Sequence, residues 1–157
     1  MKQITALLSF LLLAILFISG CNTRSADEDV FIFKGSYVGD NSAVGNIVNH
    51  LRFAGHFKEF ELKTKEEPYG IVLNYDEAET EQHNKETAIY NATFLFALIQ
   101  NADWIICNFD GEEYKITKED LQSWYGEDFS AFESEDELKT FIQKHLDDKD
   151  KLNQIFV

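Results

Sequence analysis

The chain has 157 residues, 28 of them acidic and 14 basic, for a net charge of −14 with histidines neutral. Nucleic-acid binding needs a basic footprint, so this balance excludes nucleic acid as a partner and predicts repulsion from anionic lipid and cell-wall polymers. A surface so acidic suits either a solvated, soluble exterior or a basic or cationic partner.

Met1, Lys2 and Gln3 make a short positive start, and ITALLSFLLLAILFI follows from Ile4 to Ile18 without a charge. The run is shorter than the roughly 20 residues of a spanning helix, and its flanks are those of a secretory signal. Ile18, Ser19, Gly20 and Cys21 resemble the lipobox of bacterial lipoproteins. The resemblance implies that the Cys21 thiol takes a diacylglyceryl group, that cleavage falls between Gly20 and Cys21, and that Cys21 becomes the new N-terminus. One acyl chain binds a membrane marginally, and two give stable anchoring. An uncleaved anchor or an ordinary secretory signal is the alternative. The expected organisation is a signal over residues 1–20, a lipidated cysteine and polar tether over 21–29, and one domain over 30–157. The expected location is the extracytoplasmic face of the cell membrane, held by lipid.

The elements then follow in order. Val30 to Phe33, VFIF, is rich in β-formers and predicts a strand. Val44, Ile47, Val48 and Leu51 repeat at helical spacing, with Asp40, Asn41 or Ser42 available as the cap. FKEFELKT alternates, KEEP turns the chain, and YGIVLNY alternates again with Tyr69, Ile71, Leu73 and Tyr75 on one face, which predicts an antiparallel hairpin. After the acidic DEAETEQ, residues 85–102 have the length of a helix. The continuous apolar run Phe94 to Ile99 makes that helix central. WIICNF and EEYKI flank Asp110-Gly111, a strong two-residue hairpin signal. Two helices close the chain. Thr117 caps one, with Asp120 third and Ile116 and Leu121 placed as a staple, and Gly126 ends it; Ser134 and Glu137 start the other. Strands arriving as hairpins predict an α+β fold: an antiparallel or mixed sheet of about five strands with helices packed on it. The unit of helix then hairpin occurs twice.

GSYVGDNSAVGNIVNHL, residues 35–51, is the most motif-like stretch. A phosphate loop has four residues between its glycines and then lysine; here five separate Gly39 from Gly45, Asn46 holds the lysine position, and Asp40 is negative. Asp40, Asn41 and Ser42 offer oxygen ligands to calcium, but nothing after Ser42 continues an alternating ligand pattern before His50. The plain reading is a strand-to-helix turn with a polar cap. A ligand contact by Asp40, Asn41 and Ser42 remains the other candidate.

Other chemistry is thinly marked. Cys21 is spent on lipid, so no disulfide is expected, and Cys107 among large apolar residues reads as a small buried hydrophobe rather than a reactive thiol. His50, His56, His83 and His145 are scattered without zinc-helix spacing, and neither metal nor cofactor is expected. His145, on an apolar stripe, reads as a satisfied boundary residue. No G-x-S-x-G is present, and with 28 acids chance carboxylate pairs are certain. Tyr75, Trp104, Trp124 and Tyr125 either line a groove or stand as core aromatics with polar tips.

YVGDNSAVGNIV, LKTKEEPYGIVLNY and NADWIICNFDGEEYKITKEDLQSWYG together resemble the family called domain of unknown function 4825, over roughly Phe31 to Ile142. That family occurs in lipoproteins and membrane-anchored proteins of Gram-positive bacteria. The resemblance implies an extracytoplasmic module attached to a membrane and brings no catalytic residue. The expectation is a binding, sensor or adaptor lipoprotein whose partner is another membrane or envelope protein or a small ligand. The alternative is a carboxylate-dependent hydrolase or wall-modifying enzyme.

Overall fold

The computed structural model describes residues 29–156. The first described residues already depart from expectation. Val30–Phe33 is a 3-10 turn, not a strand. The Asp29 carboxylate accepts from the Phe31 amide at 2.9 Å, which winds the chain before it can extend. Burial follows the turn as well: Val30 and Phe31 are buried while Ile32 is 59% exposed. The only strand-like contact here comes later, a single parallel bridge from Ser36 to Ile99. The described sheet therefore has four strands, not five.

Asp40 begins helix α1 (Asn41–Val48), its side chain accepting from the Ala43 amide at 3.0 Å. Strands β1 (Phe57–Lys63) and β2 (Gly70–Tyr75) form the first hairpin, as predicted. Helix α2 runs Glu81–Leu98, four residues earlier than the sequence suggests, because the Thr80 hydroxyl caps the His83 amide. It ends where Ile99 leaves to meet Ser36, whose carbonyl accepts from the Gln100 amide at 2.9 Å. Strands β3 (Trp104–Phe109) and β4 (Glu112–Thr117) form the second hairpin around Asp110 and Gly111, both at positive φ, the backbone that a tight two-residue turn requires. Helices α3 (Lys118–Tyr125) and α4 (Glu135–Leu146) follow, capped by Thr117 and Ser134, with Gly126 left-handed at the end of α3. Glu137 accepts from the Glu133 amide rather than closing a box on Ser134.

The two hairpins join side by side. The sheet order is β1-β2-β3-β4, antiparallel within each hairpin and parallel between β2 and β3. Helix α2 is the crossover that parallel neighbours require. It is buried almost all round from Thr87 to Leu98, so it packs as a central rod rather than an amphipathic lid. Across the sheet, Leu62, Ile71, Ile105 and Ile116 make one inner row, and Phe60, Leu73, Cys107 and Tyr114 the next. A register shift between Phe57 and Glu59 lets Phe57 face Tyr75, with rings 6.0 Å apart. Without that irregularity Lys58 would take the core position.

Cys107 is fully buried, and desolvation pushes its thiol up to about 12. Burial also raises the phenols of Tyr75 and Tyr125. A raised folded pKa means that the unfolded chain ionises first, so these groups contribute nothing to the pH dependence below the ordinary values of 9 to 10. Above them stability falls as pH climbs toward the folded values. Urea unfolding is expected to shift to lower midpoints between pH 8 and pH 10.5, and Cys107→Ala to flatten part of that decline. In neutral buffer an aromatic disulfide reagent is expected to label Cys107 only after unfolding. Cys107→Ser places a hydroxyl where the thiol packs and is expected to cost about 1–3 kcal/mol by the same urea assay.

Candidate functional site

The pairing that buries one face of the sheet lays out the other as three rows. Lys63, Gly70, Trp104 and Thr117 form the first, Glu61, Val72, Ile106 and Lys115 the second, and Glu59, Asn74, Asn108 and Glu113 the third. Val72, Trp104 and Ile106 are only partly buried and stand outside the core cluster. An apolar strip on the two inner strands is thus flanked by charge on the two edge strands. The strand WIICNF is apolar on both sides: Ile105, Cys107 and Phe109 serve the core, and Trp104 and Ile106 serve the open face.

Trp104 is fixed in place. Its indole lies over Gly70, where an added Cβ would come within 2.2 Å of the ring. Nε1 donates to the Pro68 carbonyl at 2.9 Å, and Lys115 Nζ stands 5.4 Å from the ring centroid. Pro68 itself follows a cis peptide bond. The indole walls a cleft of about 610 Å³ shared with Lys115, Thr117, Lys118 and Asp120. The Thr117 hydroxyl there is already engaged, accepting from the Asp120 amide at 3.1 Å and donating to its carboxylate at 2.6 Å. Asp103, at the same rim, accepts from the Tyr69 amide at 2.7 Å.

At the other end of the strip the Asn108 side chain donates to Asn74 at 3.3 Å and accepts from the Gly111 amide at 3.0 Å. A second cleft, of about 360 Å³, opens beside them with Lys58, Glu59 and Asp110 at its edge. Trp104 and Asn108 are four strand positions apart, about 13 Å. The face is a shallow track with a polar recess at each end and an apolar middle, dimensions that suit a few extended residues of another chain.

The other candidates fall elsewhere. Asp40 spends one carboxylate oxygen on its cap, while Asn41 and Ser42 are exposed beside it; none of the three lines the clefts described here. Gly20 and Cys21 lie outside the described residues. Of the four aromatics considered for a groove, only Trp104 lies on the open face. Tyr75 and Tyr125 are buried, and Trp124 donates to the Lys151 carbonyl at 2.8 Å. His145 is satisfied as expected, Nδ1 meeting the Phe141 carbonyl at 2.9 Å among the rings of Tyr125 and Phe141. His56 lies 2.7 Å from Glu77, and His83 lies 2.9 Å from Glu79. No group of three or more metal-ligating side chains is present among the described residues. Among the described residues, two carboxyls have a shifted pKa, both lowered and exposed: Glu81 through its hydrogen bond from Lys85, and Asp128 through the Ser130 amide.

The molecule is therefore an α+β domain built on a four-stranded mixed sheet that leaves one face open. The chain belongs to the family described as Domain of unknown function (DUF4825), whose model matches residues 30–119. That span takes in all four strands and every side chain of the open face, and it stops before α4. No curated protein and no solved structure matches the chain. Among the described residues no helix is long and apolar enough to cross a membrane.

Proposed function

We propose that this chain is a membrane-anchored extracytoplasmic lipoprotein whose domain works as a binding module, a sensor or adaptor, through the open face of its sheet. Its occupant is an extended segment of another membrane or envelope protein. The observation that carries this reading is the strip of Val72, Trp104 and Ile106, partly exposed and outside the core cluster on inner strands that are otherwise well packed. Surface of that kind, rimmed by polar groups, marks interaction sites in soluble domains. Cys21 supplies the anchor, and tethering raises the effective concentration toward neighbours on the same membrane. Asp40, Asn41 and Ser42 would be at most a secondary contact. A carboxylate hydrolase is the weaker reading: it needs two acids converging in a pocket in unlike environments, and among the described residues the carboxyls with a shifted pKa, Glu81 and Asp128, are both exposed and lowered.

A photo-reactive residue placed at Ile106 in living cells is expected to give a discrete adduct with another envelope protein. The same residue at exposed Glu127 should not, and Trp104→Ala should weaken the Ile106 adduct. Matching patterns from Ile106 and Glu127 would rule out the open face. Mass spectrometry of protein from its host tests the anchor separately: a chain beginning at an acylated Cys21 is expected, and one retaining Met1 or lacking acyl groups ends that part of the reading.

A further inference from the structure

A third recess has the opposite character from the rest of the surface. Arg52, Tyr90, Lys139, Thr140, Gln143 and Lys144 line a cleft of about 430 Å³. In a chain with net charge −14, its lining holds three cations and no carboxylate.

Arg52 is held in position from both ends. Asn91 brackets its backbone, accepting from the Arg52 amide and donating to the Arg52 carbonyl, each at 3.0 Å. The guanidinium lies 4.1 Å above the Tyr90 ring and gives one arm to Gln143 at 3.0 Å. That leaves a planar fork with free donors, the geometry that fits phosphate oxygens. Lys139 is paired with Glu135 at 2.5 Å, while Lys144 is exposed with no ion-pair partner among the described residues.

The position of the cleft in the chain decides what it meets. The Val30 amide, where the chain leaves toward its N-terminus, reaches Glu135 at 3.5 Å, and Glu135 is the carboxylate that pairs with Lys139. The cleft therefore begins beside the point where the tether joins the domain. The chain from Cys21 to Asp29 can reach at most about 25 Å, so an anchored domain keeps this region within that distance of the headgroups. The two exposed large hydrophobics among the described residues, Ile32 and Tyr37, lie on the same entering segment.

We propose that the Arg52–Lys139–Lys144 cleft is a phosphate site that takes the phosphodiester of a membrane lipid headgroup, orienting the tethered domain on the bilayer. It deepens the anchored-lipoprotein reading and rests on it for the source of the phosphate. Local attraction of this kind offsets the repulsion that the acidic body would otherwise feel at an anionic surface, and each cation near such a surface adds usefully to binding.

The test uses the protein purified from its host in non-ionic detergent, observed by NMR at constant ionic strength. It is titrated with a short-chain soluble phosphatidylglycerol and, separately, with inorganic phosphate. Saturable shifts in Arg52, Tyr90 and the amides of residues 139–144 are expected with the lipid probe. Lys144→Gln is expected to weaken them about fivefold, and Lys65→Gln, the same charge change on the exposed turn between β1 and β2, to leave them unchanged. A response to inorganic phosphate alone assigns the cleft to a free ion and overturns the headgroup proposal. No saturable response, or equal weakening by Lys65→Gln, overturns the site itself. Because the probes are soluble, failure here is distinct from failure of the anchor, which mass spectrometry at Cys21 reads.

Discussion

Asn91→Ala is expected to destabilise the domain by about 3–4 kcal/mol. Asn91 is fully buried on α2, and its amide makes three hydrogen bonds off its own helix. Two go to the backbone of Arg52, and the third donates to the Tyr75 hydroxyl at 2.8 Å on β2. Alanine removes all three and takes this partner from the part-buried amide and carbonyl of Arg52 and from the buried Tyr75 phenol. Small domains hold together by roughly 5–15 kcal/mol in all, so the loss is a large part of the whole. Urea unfolding measures it. A shift under about 1 kcal/mol would mean that water reaches the Arg52 backbone and that Asn91 is not the tie described here. Asn91→Asp separates the bonds: it keeps an acceptor for the Arg52 amide, loses both donated bonds, and is expected to destabilise as well.

Gly70→Ala is the second large effect, and it acts on the site and on stability together. The new methyl would lie 2.2 Å from the Trp104 indole. Nothing so close can be absorbed by small shifts, so the indole must swing off the strand, losing its bond to Pro68 and its contact with Lys115. About 1–3 kcal/mol is the expected cost. Trp104 emission should move to the red as the ring enters water, and the Ile106 adduct should fall. The double variant Gly70→Ala with Trp104→Ala provides the check. Once the ring is gone, the methyl has nothing to strike, so the two costs should fall well short of adding. Simple additivity would mean that the ring does not occupy the space above Gly70.

What could be read from the sequence was local. Asp40, Thr117, Ser134 and Gly126 announce helix ends because a cap is settled within three or four residues. Asp110-Gly111 fixes a hairpin for the same reason. The burial of α2 was visible in Phe94 to Ile99. The VFIF run misled because β-propensity is weak next to a neighbouring carboxylate that caps a turn. The parallel seam between β2 and β3 left no mark, since its partners are brought together only by α2. Of the site, Gly70 was the unread signal: a glycine where a strand begins leaves room for another group to press on the backbone. The basic cleft had no signal, because Arg52 and Lys144 meet only in the folded chain.

Lys34 carries one more consequence. Its ammonium donates to the carbonyls of Ser130 at 3.1 Å and Phe132 at 2.6 Å, across sequence separations of 96 and 98 residues. The entering turn is thus latched by chain that lies past residue 119, where the family match ends. As a newly made polypeptide emerges from its N-terminus onward, Lys34 gains these two acceptors only after the segment around residue 130 has followed it out. The latch on the entering turn therefore lies outside the family's shared portion, and a piece cut at residue 119 would lack it.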